Sequence, residues 1–437
     1  MKFTESTKPK LSSSTGNRIL IPRAARPSQQ LICQPSTSLF NTEREQRYFT
    51  LFSEKVAADI SPYFSASAWS RMILQVCASE LSFRHAAVAL GALGKTFEAI
   101  QTGRSQSSEG LSSRLGAFEG AIGAAKHKRR WPPQKDKEAA VHHQHALEEY
   151  DKAIKQMRAD ISGTKHNIRT ALITCVVIIC FESLHGNYES ATAQLRSGIA
   201  LVQDWKRSHQ DTLKHPQGFS SPTPYIIEDF LIQLFGRLEI QAMSFVDFRP
   251  VECHLDLKAE GKDVINAMPE CFISINQARV SLDLIMRRMM HFTASLNYFK
   301  ASYAQYKISS RSSKSMRWID SKAAAQASID LLKMSKYYSE RDALNSELNR
   351  WLRAFKPLGS RCVAKQGRDY ISALTMFIAA TTSAVSISTA FIVSETDYDV
   401  FESDFRSIVS QSALFLEELE QRKPKSRPAL GFALDLG

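Results

Sequence analysis

Residues 168–205, IRTALITCVVIICFESLHGNYESATAQLRSGIALVQDW, constrain the fold more than any other part of the chain. From Ala171 to Phe181 the residues are apolar nearly all round, which predicts a buried helix. Gly186 and Asn187 interrupt the pattern as a helix end and turn would. Tyr188, Ala191, Leu195, Gly198 and Leu201 then recur at spacings of three and four, one face of a second helix. The small residues Ala191 and Gly198 predict that this helix lies close against the first. The whole stretch reads as a helical hairpin.

The same period runs through the rest of the chain. Thr42 and Glu45 have the spacing of a capping box, so a first helix is expected from there, with Tyr48, Leu51, Phe52 and Val56 on its apolar face. Helices are expected at about 66–79, 82–100, 138–161, 226–246 and 276–304. Leu344, Leu348, Trp351, Leu352 and Phe355 form a later stripe, and Phe401, Phe405, Ile408, Val409, Ser412 and Leu416 another. No alternating, β-branched run bounded by hairpin turns occurs. The fold expected is all-α, a stack of antiparallel helical hairpins, tetratricopeptide-like in part.

Residues 371–393 carry no charge over 23 positions, long enough to cross a bilayer. Eight of them are Ser or Thr, whose hydroxyls cost less in a protein core with partners at hand. With no companion span seen elsewhere, the reading is a central buried helix and no membrane partner.

The net charge of +12 suggests nucleic acid until it is mapped. Residues 1–40 carry +5, residues 101–137 carry +5 and residues 421–437 carry +3, which leaves −1 over everything else. The excess sits in segments rich in Ser, Pro and Gly, so no basic DNA-reading face is implied. The organisation expected is a disordered basic segment at 1–40, a helical regulatory domain at 41–420 with flexible linkers at about 101–137, 206–225 and 305–316, and a basic tail at 421–437. Two clusters are candidate nuclear import signals: Lys126, Lys128, Arg129 and Arg130, then Arg422, Lys423, Lys425 and Arg427. The alternative for each is a solvated linker or tail. Seven scattered cysteines with no framework spacing, and no basic-led apolar leader, point to a reducing compartment.

Catalytic chemistry finds little support. His142, His145 and Glu149 are spaced to share a helix face and could hold a metal, but the His-Glu-x-x-His arrangement is absent, and a polar His-rich face is the preferred reading. Cys253 and His254 are sequence neighbours, which does not make a nucleophile pair. Met286, Met289 and Met290 are read as core packing and not a ligand box. Gly91 and Gly94 are read as small residues in a packed helix, since no strand precedes them. The chain is not read as an enzyme, and no cofactor is implied.

The order of several blocks carries a resemblance. The 168–205 hairpin, the aromatic opening helix EREQRYFTLFSEKVAADI at 43–60, Ala68 to Arg71, Phe83 to Leu93, Thr396 to Asp399 and Phe405 to Ile408 together resemble the helical middle region of fungal zinc-cluster transcription factors, over roughly residues 40–437. That resemblance implies a fungal transcription regulator in the nucleus, governing metabolic or secondary-metabolite genes through its helical region. It implies protein partners, with a homodimer left open. The family's DNA-reading module needs six cysteines in paired Cys-x-x-Cys spacings, and none of the seven here forms such a pair. DNA contact is therefore expected only indirectly, or through a missing zinc-cluster module. In relatives a further apolar helical segment begins about where residue 437 lies, so a chain shortened at both ends is expected. The alternative is a cytosolic helical scaffold that binds proteins between hairpins.

Overall fold

The computed structural model describes residues 39–57, 66–106, 137–161, 168–209, 218–244, 247, 249–312, 321–367 and 369–422. The chain divides into two units, 1–41 and 42–437. Of the first, only residues 39–41 are described, and they are irregular. All that follows concerns the second. Among its described residues every regular element is a helix.

The opening helix α1 (Glu43–Leu51) starts where Thr42 accepts a hydrogen bond from the Glu45 amide, satisfying one of the free N–H groups of the first turn. It runs on into a π-helical turn, Phe52–Val56. Tyr48, Phe52 and Val56 are buried. Next come α2 (Ala66–Ser79), α3 (Leu81–Gln106) and α4 (Lys137–Ile161). Helix α3 packs on α1, α2 and α4. Gly91 permits the closest of these approaches, because a Cβ there would stand 2.7 Å from the Tyr48 carbonyl carbon.

The expected hairpin is α5 (Ile168–His185) and α6 (Tyr188–Ser208), which pack against each other. Gly186 turns the chain at a φ of 87°, a conformation with no Cβ penalty for glycine, and the Asn187 amide then donates to the Glu182 carbonyl. Asn187 caps α6 at Ser190. One detail differs from the sequence reading. Gly198 opens space not for α5 but for Phe235 of α7 (Asp229–Met243), whose Cζ would lie 2.9 Å from a Cβ at that position. The stretch between α6 and α7 also differs. Residues 218–225 fall in the flexible linker expected at about 206–225, yet Phe219 and Ser221 are buried, and the Phe219 ring lies on Gly236 of α7. An aromatic side chain gains more from that seat than its polar neighbours lose.

Two short helices, α8 (Val251–Leu257) and α9 (Lys262–Asn266), lead into α10 (Ile275–Ser312). Helix α10 continues through residues 305–312 of the break expected at 305–316, since extending a formed helix costs little. It packs on α7, α8, α11 (Ser321–Lys365) and α12 (Tyr370–Ser388). Leu344, Leu348, Trp351 and Phe355 fill the core as their spacing predicts. Trp351 Nε1 donates to the Ala278 carbonyl at 2.8 Å, which fixes α11 to the first turn of α10. Pro357 sits inside α11 and removes one helical N–H. A 3₁₀ segment, Glu395–Phe401, precedes α13 (Glu402–Arg422), which packs on α12. Of the stripe expected there, Phe405, Val409 and Leu416 are exposed, and Phe415 is the residue that packs against Tyr370, Ile371 and Leu374. Helix α13 meets the body along that other edge.

Among the described residues two helices are long and apolar enough to cross a membrane, α5 and α12, so the companion span thought absent does exist by length and composition. Helix α5 is mostly buried in the protein. Helix α12 is only half buried and ends at Ser388, not 393, so the expectation of a central buried helix is corrected to a helix with one open face.

Candidate functional site

Helix α10 carries Arg279, Asp283, Arg287 and His291 at successive steps of four, all buried. That spacing places them along one edge of an otherwise apolar helix. Arg287 stands between two carboxylates: its Nε donates to Glu239 of α7 at 2.5 Å and its Nη1 to Glu260 at 2.7 Å. Glu260 also receives Lys206 of α6 at 2.8 Å. Arg249 bonds Glu239 and, at 2.6 Å, Asp247. Arg288 turns the other way, to Glu347 of α11 and the Lys258 carbonyl. Arg237 of α7 lies 3.6 Å from Asp283, which also accepts from Arg279 at 2.8 Å. The result ties α6, α7, α10 and α11 through charges taken out of water. Such a set is stable only when each charge keeps its partners.

Two histidines close the network. His254 of α8 and His291 meet Nδ1 to Nδ1 at 3.0 Å. One ring must donate and the other accept, so the two cannot both be cations. His291 Nε2 lies 3.5 Å from Glu239, and His254 Nε2 lies 3.9 Å from Asp247. The assignment that serves the His291–Glu239 contact and the Nδ1–Nδ1 contact puts the His291 proton on Nε2 toward Glu239 and has His254 Nδ1 donate to His291 Nδ1.

Burial alone would raise the carboxyls of Glu239 and Glu260. Arg287 leads the charges that outweigh it, holding Glu239 well below the usual range and Glu260 at about 2. Burial lowers the pKa of His254 and His291, and likewise of His142, His143 and His185. Each of these rings takes a proton near pH 6.5 when unfolded but resists it when folded. Their contribution to stability is therefore present above that pH and lost as the pH falls below it. The carboxylates add a second loss, below the unfolded value of 4.5 and on toward about 2. We expect the melting temperature to be flat from pH 8 to 7 and to drop by about 5 °C or more by pH 5.5. Thermal melts followed by circular dichroism at four pH values test this, and a melting temperature unchanged down to pH 5 would contradict it.

The residues singled out from sequence fall elsewhere. His142 meets the Tyr48 hydroxyl at 2.8 Å, His145 meets Arg44 at 2.6 Å, and Glu149 accepts from Lys152 and pairs with His85 at 2.7 Å. The three are thus engaged with different partners, and among the described residues no group of three or more His, Cys, Asp or Glu is placed to hold a metal. Cys253 lies on α8, and its neighbour His254 faces His291. Burial pushes the Cys77 thiol up to about 12. Of the two import clusters, Lys126, Lys128, Arg129 and Arg130, with Lys423, Lys425 and Arg427, lie outside the described residues, and Arg422 is the last residue of α13. The ionic network was missed from sequence. The step of four along 279–291 within an apolar helix was its one visible signal.

Residues 47–246 match the family described as fungal specific transcription factor domain. Over that stretch, a little under half of its length, the chain is similar to that family. No curated protein and no solved structure matches the chain. The transcription factor domain opens within α1 and closes just past α7. It contains Lys206, Arg237 and Glu239, whereas their partners Arg249, Glu260, Asp283, Arg287 and His291 lie beyond it.

Proposed function

We propose that this chain is a nuclear transcription regulator of metabolic or secondary-metabolite genes that acts through its helical region. The match over residues 47–246 carries this reading. The ion pairs that join α7 to α10 support a regulatory region extending to about residue 420, with residues 1–40 and 421–437 as basic flanking segments. DNA is reached only indirectly, through protein partners, or through a zinc-cluster module. The exposed Phe405, Val409 and Leu416 of α13 support protein contacts, a homodimer included.

Nuclear entry is assigned to Lys126, Lys128, Arg129 and Arg130 together with Arg422, Lys423, Lys425 and Arg427. A fluorescent fusion of the whole chain in fungal cells is expected to concentrate in the nucleus. Changing all eight residues to alanine is expected to reduce the nuclear-to-cytoplasmic ratio about fivefold or more, as loss of a charge-read signal should. A wild-type fusion that stays in the cytoplasm would overturn this reading in favour of a cytosolic scaffold. Transcript profiling of a deletion strain then reads the targets, and an unchanged profile under every condition tried would remove the word regulator.

A further inference from the structure

Helix α10 has two working edges. Arg287 and Arg288 enter the ionic network, while Met286, Met289 and Met290 line a cavity on the other side, where simple core packing was expected. The cavity has a volume of about 570 Å³ and is walled by α7, α10, α12 and α13. That is within the roughly 300–1,000 Å³ typical of small-molecule sites. Fifteen residues line it and none is charged. Three thioethers with Ile240, Ile378 and Phe415 supply an apolar body, and thioethers adapt their shape to what they meet. The open face of α12 supplies hydroxyls. Thr375 donates to its own helix at the Ile371 carbonyl, whereas among the described residues the hydroxyls of Thr382, Ser383, Ser386 and, from α13, Ser412 have no protein hydrogen-bond partner. Thr382 and Ser386 are exposed and mark the mouth.

We propose that this cavity binds a neutral, mostly apolar small molecule that carries one or a few hydrogen-bonding groups. An anion or cation would lose its hydration with no opposite charge to replace it. A purely apolar guest would leave the hydroxyl face unused. A neutral body with a polar edge matches both walls.

The test uses the purified full chain and N-phenyl-1-naphthylamine, a neutral fluorescent aromatic amine. Saturable one-to-one binding is expected, with a Kd of about 10 μM for a probe of this size. Its sulfonated analogue, 8-anilinonaphthalene-1-sulfonate, should displace the neutral probe only at concentrations about tenfold higher, reflecting the cost of burying its charge. Ser383→Trp fills the cavity and Ser386→Trp plugs its mouth. Each should weaken binding about tenfold while helicity by circular dichroism is kept. Ser386 is exposed, so its variant keeps the test available if Ser383→Trp fails to fold. Val409→Ser removes part of the exposed stripe of α13, outside the lining, and should bind as wild type. Binding unchanged in a folded Ser386→Trp, binding lost in Val409→Ser, or equal displacement by the anion would each overturn the proposal. Binding is read without DNA or cells, so its failure leaves the transcriptional reading standing.

Discussion

Arg287→Met should cost about 4 kcal/mol of folding stability, because it takes the shared cation from the buried Glu239 and the part-buried Glu260 while preserving most of the side-chain volume. Glu239 and Glu260 share that guanidinium; Glu239 is buried and keeps only Arg249 and His291 beside it, while the part-buried Glu260 keeps Lys206. Urea unfolding followed by circular dichroism measures the loss. The deficit should shrink as the pH falls toward 5, because the abandoned carboxyls, pushed up by burial, take protons and go neutral. Converting Glu239 to Gln in the same chain should recover part of the loss, since one of the two stranded charges is then gone. A single variant within about 1 kcal/mol of wild type would show that the network is dispensable.

Gly91→Ala should be the second most damaging change tested, and for a steric reason. A methyl at Gly91 would enter the space of the Tyr48 carbonyl, which is backbone and cannot rotate away. Alanine gains about 1 kcal/mol over glycine within a helix. Overpacking against backbone costs more than that, so a net loss of about 2 kcal/mol is expected. Helix α1 should part from α3, breaking the Tyr48–His142 hydrogen bond. Limited proteolysis would then cut first near residues 43–57. Gly367→Ala is the control, since a Cβ there meets nothing within 4 Å. Equal stability of the two variants would refute the steric account.

How far the sequence reached depended on the range of the interaction. The α5–α6 hairpin was legible because its signals are local: an apolar run, a glycine that tolerates positive φ, and a cap. The helical class followed from the same periods. Gly198 was recognised as a contact point but assigned to the wrong helix, because spacing gives a face and not what lies against it. Phe219 was lost in a polar run for the same reason. In α13 the period marked a stripe but not its surroundings, and half of it faces outward, since an apolar face looks alike whether it meets a core or a partner. The network was out of reach. Glu239 and Arg287 are far apart in sequence, and a charged residue alone carries no mark of burial. The cavity depended on four helices meeting around three methionines that read equally well as filling.

The place where the family's match ends has a practical meaning for anyone who recombines such regulators. Cutting after residue 246 severs Glu239 from Arg249, Arg287 and His291, and Arg237 from Asp283. The excised piece would carry an orphan acid and an orphan base on a surface that evolved dry. Grafted onto a foreign DNA-reading module, it would report the cost of a bad cut and not its own regulatory character. A chimera that respects the electrostatics keeps α6 through α11 together, so that the portable unit is set by where the charges find their counterparts.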